Sequence, residues 1–273
     1  MRGPGLSFIG PVETDAAQVG QLKTIAANRG FRIVSALCLC LAAGGVRADK
    51  THSSDPPPTR FQQLRSGVAH LGRAGLDGEH GAIQWLGTAF VVDDRCTVVT
   101  AKHAIEGIPE GRLMLRFLDA DDRVFTHLAR VIHTTAADLA FLKFGPETGQ
   151  KQFCGGLSSR PIKIHSGEER SRLSGESVWV LGYPALEGAP PRDIPIVRRG
   201  VVASAELDWR GAPMLLLDLT GMPGFSGGPV ILERTGEAIG VVYGPGRTER
   251  VFDVEWATPL STEQYHEALG RKH

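Results

Sequence analysis

From Phe61 onward the chain lacks any long stretch with a helical period; its apolar residues come in short runs closed by turn-forming residues. Such runs are too short to bury a helical face over several turns, so they read as strands. The pattern predicts strands at Gln84–Val92, Thr97–Thr100, Leu113–Leu118, Val124–His133, Leu139–Phe144, Ser177–Leu181, Ile194–Ala205, Met214–Leu219, Pro229–Glu233, Ala238–Tyr243 and Val251–Thr258. Turns fall at Asp93-Asp94, Gly145-Pro146, Trp209-Arg210-Gly211 and Thr235-Gly236-Glu237. Glycine supplies 34 of 273 residues, well above the usual share of about 7%, as many tight turns require. The expectation is an all-β chain of about a dozen strands, which suits a pair of barrels or sandwiches. Only Ser261–Leu269 reads as helix, with Ser261 as N-cap and Glu263 and Gln264 in the first turn.

Upstream, Ile33–Ala43 is apolar and uncharged, follows Arg29 and Arg32, and leads to Val46-x-Ala48. A basic flank, a short apolar core and small residues at a cleavage position predict a secretory signal peptide. The run falls short of the roughly 20 residues that span a bilayer as a helix. Residues 1–48 are therefore expected to be an N-terminal extension and signal, with the rest exported to a periplasm or secreted and left without a stable membrane anchor. Leu precedes both Cys38 and Cys40, which disfavours a lipoprotein acceptor. Residues 1–28 carry no interpretable motif, and a start at Val19 would leave a signal of ordinary length. Residues 49–60, with Ser53-Ser54-Asp55 and Pro56-Pro57-Pro58, read as a Pro-rich linker.

Lys+Arg 30 balance Asp+Glu 30, which offers no basic footprint for nucleic acid. The histidines show no paired ligand spacing and no Cys-x-x-Cys occurs, so neither a metal nor any other cofactor is expected.

Three segments carry chemistry. Gly87 to Ile105 delivers His103 just past a strand, in a Thr-Ala-x-His context. Ala137-Asp138-Leu-Ala-Phe-Leu142 sets an acid at the mouth of an apolar strand. Gly224-Phe225-Ser226-Gly227-Gly228-Pro229 surrounds a serine with residues that let the backbone turn tightly. Acyl transfer needs a hydroxyl nucleophile, an imidazole to take and return its proton, and a carboxylate to hold the imidazole tautomer. Each residue alone also has a structural reading: a surface histidine, a strand terminator, a glycine-rich loop. Their contexts and order favour the chemical one.

These segments resemble the His, Asp and Ser blocks of chymotrypsin-fold serine peptidases, nearest to the bacterial trypsin-like and HtrA-type branch, over about Phe61–Leu260. The resemblance implies two six-stranded antiparallel β-barrels packed face to face, one within 61–150 and one within 151–273, the latter with a short C-terminal helix. It implies a serine endopeptidase acting on polypeptide substrates, with His103 as general base, Asp138 as its orienting carboxylate and Ser226 as nucleophile. The Gly224 and Ser226 amides would form the oxyanion hole. Thr220 would lie at the base of the substrate pocket, with Tyr243, Gly244 and Pro245 along one wall. No acid stands at that base, so small or medium apolar side chains are the expected preference, although Asp253 or Glu255 could still supply a negative charge.

Departures are informative. Only 13 residues follow Leu260, too few for the PDZ domain of HtrA-type proteins. Neither Cys96 nor Cys154 sits where a bridge would bracket the catalytic histidine, and whether they pair is open. Phe225 replaces the acid that digestive relatives use to bind a freed amino terminus, so no activating trimming is expected. Two other readings stand beside the peptidase: a silent peptidase-fold binding module, and a serine esterase. Gly224-x-Ser226-x-Gly228 also fits the α/β-hydrolase nucleophile elbow, but that elbow joins a strand to a helix in an alternating β/α chain, and here a strand follows.

Overall fold

The structure, a computed structural model, describes residues 59–75, 83–118, 123–144, 161–166, 170–185, 194–209, 211–245 and 254–270. The expected signal and most of the expected linker, together with Cys154 and Asp253, lie outside these residues.

Twelve strands form, bearing out the all-β expectation: β1 Val68–Ala74, β2 Ile83–Val91, β3 Thr97–Ala101, β4 Leu113–Leu118, β5 Val124–Thr134, β6 Leu139–Phe144, β7 Ser177–Gly182, β8 Ile196–Trp209, β9 Ala212–Asp218, β10 Pro229–Leu232, β11 Ala238–Pro245 and β12 Glu255–Pro259. They close into two antiparallel barrels, β1-β2-β3-β6-β5-β4 and β7-β8-β9-β12-β11-β10, so the second repeats the strand order of the first. Closure leaves no unpaired edge in either sheet.

Burial follows this division. Leu71, Val91, Val98, Leu115, Phe117, Leu142 and Phe144 fill the first barrel, and Val178, Val202, Leu215, Leu217, Val230 and Val242 fill the second. A third cluster, with Phe90, Val99, Phe141, Leu181, Tyr183, Ile231 and Val241, draws on both barrels and forms the interface between them. β10 is buried along its whole length, which explains why its sequence runs apolar rather than alternating; β3 is equally buried, and the hydroxyls of its Thr97 and Thr100 are hydrogen-bonded to Asp93 Oδ2 and Thr88 O.

β1 was not foreseen. Its sequence, Val-Ala-His-Leu-Gly-Arg-Ala, mixes polar residues into a strand whose first five positions are all buried. His70 is accommodated because its ring stacks between Trp85 and Tyr183, with centroids 4.0 and 4.5 Å away. Burial and the Arg116 guanidinium push its pKa down to about 3, keeping it neutral.

A short helix, α1 (Arg60–Arg65), also departs from the expectation of helix only at the C-terminus. Thr59 and Gln62 form a capping box: Thr59 Oγ1 accepts from Gln62 N, and Gln62 Oε1 accepts from Thr59 N at 2.7 Å. Thr59 and Arg60, the last residues of the expected linker, therefore belong to the folded unit. Arg60 reaches the second barrel, donating to Glu233 O at 2.5 Å and lying 5.6 Å from the Trp179 ring centroid. The expected C-terminal helix is α2 (Thr262–Ala268), with Ser261 as its cap and a capping box through Gln264. It returns to the first barrel, where Tyr265 Oη donates to Asp93 Oδ2 at 2.6 Å. Each barrel is thus strapped by a helix from the other end of the described chain.

Cys96 is disulfide-bonded. It is the only cysteine among the described residues, so its partner lies outside them.

Candidate active site

The interface between the barrels brings three loops together. After β3 the chain enters one turn of 3-10 helix, Lys102–Ile105, which exposes His103. Asp138 stands immediately before β6, and β6 pairs with β3 from Thr97↔Lys143 to Ala101↔Leu139. Register alone therefore carries the acid to the histidine. Asp138 grips it twice: Oδ2 lies 2.7 Å from His103 Nδ1, and Oδ1 accepts from the His103 backbone amide at 2.9 Å. Lys102 N also donates to Asp138 O, at 2.8 Å. The acid occupies a left-handed conformation, φ 61°, which a short polar side chain tolerates better than most. With both Asp138 oxygens accepting, Nδ1 carries the imidazole proton and Nε2 presents a lone pair.

Ser226 lies in the loop from β9 to β10, the same place in the second barrel that the His103 loop holds in the first. Its hydroxyl donates to Tyr243 O at 3.1 Å rather than to His103. Tyr243 is 37% exposed, and its ring sits tilted against His103, centroids 5.0 Å apart. The structure thus brings His103, Asp138, Ser226 and Tyr243 into one cluster, without a hydrogen bond from serine to imidazole.

The serine loop is tied at many points. Gly224 (φ 91°) and Gly227 (φ 87°) take conformations that L side chains rarely adopt. A Cβ on Gly224 would also stand 2.6 Å from Ala185 N, and one on Gly227 would collide with the Thr88 carbonyl. Thr88, on β2, crosses the interface: its amide donates to Ser226 O and its hydroxyl to Gly224 O, both at 2.8 Å. The same hydroxyl accepts from Tyr183 N at 3.0 Å. Among the described residues, nothing accepts from the Gly224 and Ser226 amides. Phe225 is buried in the second barrel; its ring occupies the space a Cβ on Gly182 would need. An apolar core surrounds Phe225.

Of the expected pocket residues, Thr220 is exposed and its carbonyl accepts from Arg198 Nη1. Gly244 stands beside the serine, where a Cβ would lie 3.5 Å from Ser226 Oγ. Pro245 pairs with Glu255 in the β11–β12 ladder. Thr88, with clear contacts to the loop, was not given a role by sequence reasoning, and Glu255 was considered only as a possible pocket charge, not as a partner of the loop backbone. Glu255 is 1% exposed; Oε2 accepts from Met222 N at 3.2 Å, and Oε1 is buried with no hydrogen-bond partner among the described residues. Burial pushes its pKa up to about 7, against the opposing pull of the Met222 amide and Arg198.

A family profile described as a trypsin-like peptidase domain matches residues 87–241, a range containing His103, Asp138 and Ser226. The structure is similar to the crystal structure of the serine endoprotease from Yersinia pestis, with a TM-score of 0.54 and 20% sequence identity over 79% of this chain and 67% of that one. No curated protein matches the chain.

Proposed function

The chain belongs to the trypsin-like peptidase family, and from that footing we propose that it is a serine endopeptidase cleaving polypeptides through an acyl-enzyme on Ser226. The observation that carries the reading is the two-point hold of Asp138 on His103. It fixes the tautomer whose Nε2 can take a proton. For attack, the Ser226 hydroxyl leaves Tyr243 O and passes its proton to Nε2 as Oγ bonds to the substrate carbonyl carbon. The resulting oxyanion is received by the Gly224 and Ser226 amides, each worth about 3 kcal/mol in the transition state. The imidazolium protonates the departing amine, and a water activated by the same nitrogen then releases the acyl group. No cofactor takes part in this sequence.

Thr220, Tyr243, Gly244 and Pro245 are proposed to line the substrate pocket. Small or medium apolar side chains remain the proposed preference, because the Glu255 carboxyl that could have supplied a negative charge is withdrawn from solvent. Export to a periplasm or the exterior is proposed on the apolar run at 33–43 and the small residues that follow.

The bond from Ser226 to Tyr243 O favours a second reading, the silent binding module, and one experiment separates the two. A fluorophosphonate probe should label wild-type protein at Ser226 alone. Ser226→Ala should remain folded yet lose peptide hydrolysis by about 10⁴-fold or more. A folded wild type that neither labels nor hydrolyses a peptide library would establish the binding module instead.

A further inference from the structure

Ser226 is presented by a loop that begins at Leu219, and two charged side chains hold the part of it lying between β9 and Gly224. Arg198 on β8 donates to Thr220 O. Glu255, the first residue of β12, accepts from Met222 N. Met222 O in turn accepts from Phe225 N, so the Met222 peptide is fixed on both sides, one turn before the nucleophile. From Gly224 onward the ties come both from the other barrel, through Thr88, and from β11, where Val242 O accepts from Gly227 N and Tyr243 O accepts from the Ser226 hydroxyl.

The first barrel contains the same device at the equivalent place. Asp138 stands at the start of its sixth strand and accepts the His103 amide from the loop after its third strand. Glu255 stands at the start of the second barrel's sixth strand and accepts the Met222 amide from the loop after its third, and β9 and β12 pair through Glu255↔Leu217. An acid beside an adjacent strand end, aimed at the backbone of the chemistry-bearing loop, thus occurs twice in one strand order. A buried carboxyl is costly to keep, the more so with no partner for Oε1 among the described residues, and packing alone would be served by leucine.

We propose that Glu255 and Arg198 are positioning residues that hold the segment 220–224 so that the Gly224 and Ser226 amides face a common point. The inference rests on Ser226 as the nucleophile. In this arrangement Glu255 substitutes from within the chain for the anchoring that Phe225 cannot give. The ionised carboxylate is the stronger acceptor for Met222 N, so the hold tightens as the acid loses its proton. Arg198 is the charged group acting on it from β8; Leu217 and Pro245, its neighbours on β9 and β11, carry no charge, and Asp218 on β9 is exposed.

The test uses the full chain and the variants Glu255→Gln, Glu255→Leu and Arg198→Gln. Hydrogen exchange across 219–225 and steady-state peptide hydrolysis are measured together over pH. Glu255→Gln should speed exchange in that segment alone and lower kcat about 10-fold with KM within about twofold; Glu255→Leu should lower kcat up to about 100-fold, the scale of one weakened oxyanion donor. Wild type should show a steeper rise of activity with pH than Glu255→Gln, because two groups lose protons rather than one. Arg198→Gln should speed exchange at 219–222. Unchanged exchange in Glu255→Gln overturns the inference, as does a change confined to KM or to side-chain preference, which would make Glu255 a specificity group. Should Glu255→Leu fail to fold, the Gln variant decides. Failure of the Ser226 reading appears separately, as absent labelling of wild type, and the exchange arm still judges the anchor.

Discussion

The first barrel holds its loop with an acid that water can reach, while the second holds its loop with an acid that water cannot. Asp138 has a 21% exposed side chain and uses both oxygens, one on the His103 amide and one on the ring. Glu255 uses one oxygen on Met222 N, and the other, also buried, has no hydrogen-bond partner among the described residues. The strand order is the same, 1-2-3-6-5-4 counted within each barrel, so the difference is not one of architecture. It separates two tasks. On the proposed function Asp138 orients the His103 imidazole, a task that full hydrogen bonding serves. Glu255 accepts from a backbone amide, and nothing in that task requires contact with water.

The sharpest way to break this comparison is to disable the first acid without changing its shape. Asp138→Asn should reduce kcat/KM about 10⁴-fold, since an amide can stabilise the wrong imidazole tautomer, with the fold retained by circular dichroism. A loss of tenfold or less would mean that His103 is held well enough by its own loop, and the parallel between the barrels would be merely geometric.

A smaller effect should separate the two acids in stability. Glu255 binds its proton more tightly when folded, with a pKa near 7 against an ordinary 4.5. Below the ordinary value the group is protonated in both states, and its favourable contribution is fully present. As pH rises toward 7 the unfolded chain sheds the proton first, so stability falls, by roughly 3 kcal/mol once the folded group has ionised. Urea denaturation at pH 5 and pH 8 should show that decline in wild type and a flatter dependence in Glu255→Gln. Equal slopes in the two proteins would mean that the second acid is not kept protonated by its surroundings.

The smallest effect concerns the straps. A chain beginning at Phe61 lacks both Thr59 and Arg60, and with them the capping box and the contact with Glu233 O. It should lose about 1 to 2 kcal/mol of stability. Its kcat/KM should equal that of a chain beginning at Asp49, because buried Phe225 offers no partner to a new amino terminus. A large gain in activity on trimming, requiring a free amine, would show that the loop accepts a terminus after all.

The legibility of the sequence differed between levels in a way the same contacts explain. β6 and β10 were readable because strands buried on both sides are mostly apolar, and β3 because its polar residues are threonines, which favour strands. β1 was not, because His70 and Arg73 interrupt its pattern and the reason His70 can be buried, a stack between rings on β2 and at the end of β7, is invisible in local sequence. α1 is only six residues long, too short for periodicity, though Thr59-x-x-Gln62 was a usable capping signal. At the site, His103, Asp138 and Ser226 each sit in a compact motif. Thr88 and Glu255 do not: their partners lie 136 and 33 residues away, and a single threonine or glutamate in a strand carries no mark of such a bond.

Thr88 has a consequence for the life of the molecule before it is complete. It belongs to the second strand made, yet its amide and hydroxyl are satisfied by Ser226 O and Gly224 O, in a loop whose barrel closes only when β12 has joined β9 and β11. During synthesis the His103–Asp138 pair can form as soon as the first barrel exists, but the serine loop has no fixed shape until nearly the whole chain has emerged and the two halves have met. On the proposed function, the ability to hydrolyse a peptide would therefore arrive only with the last strand.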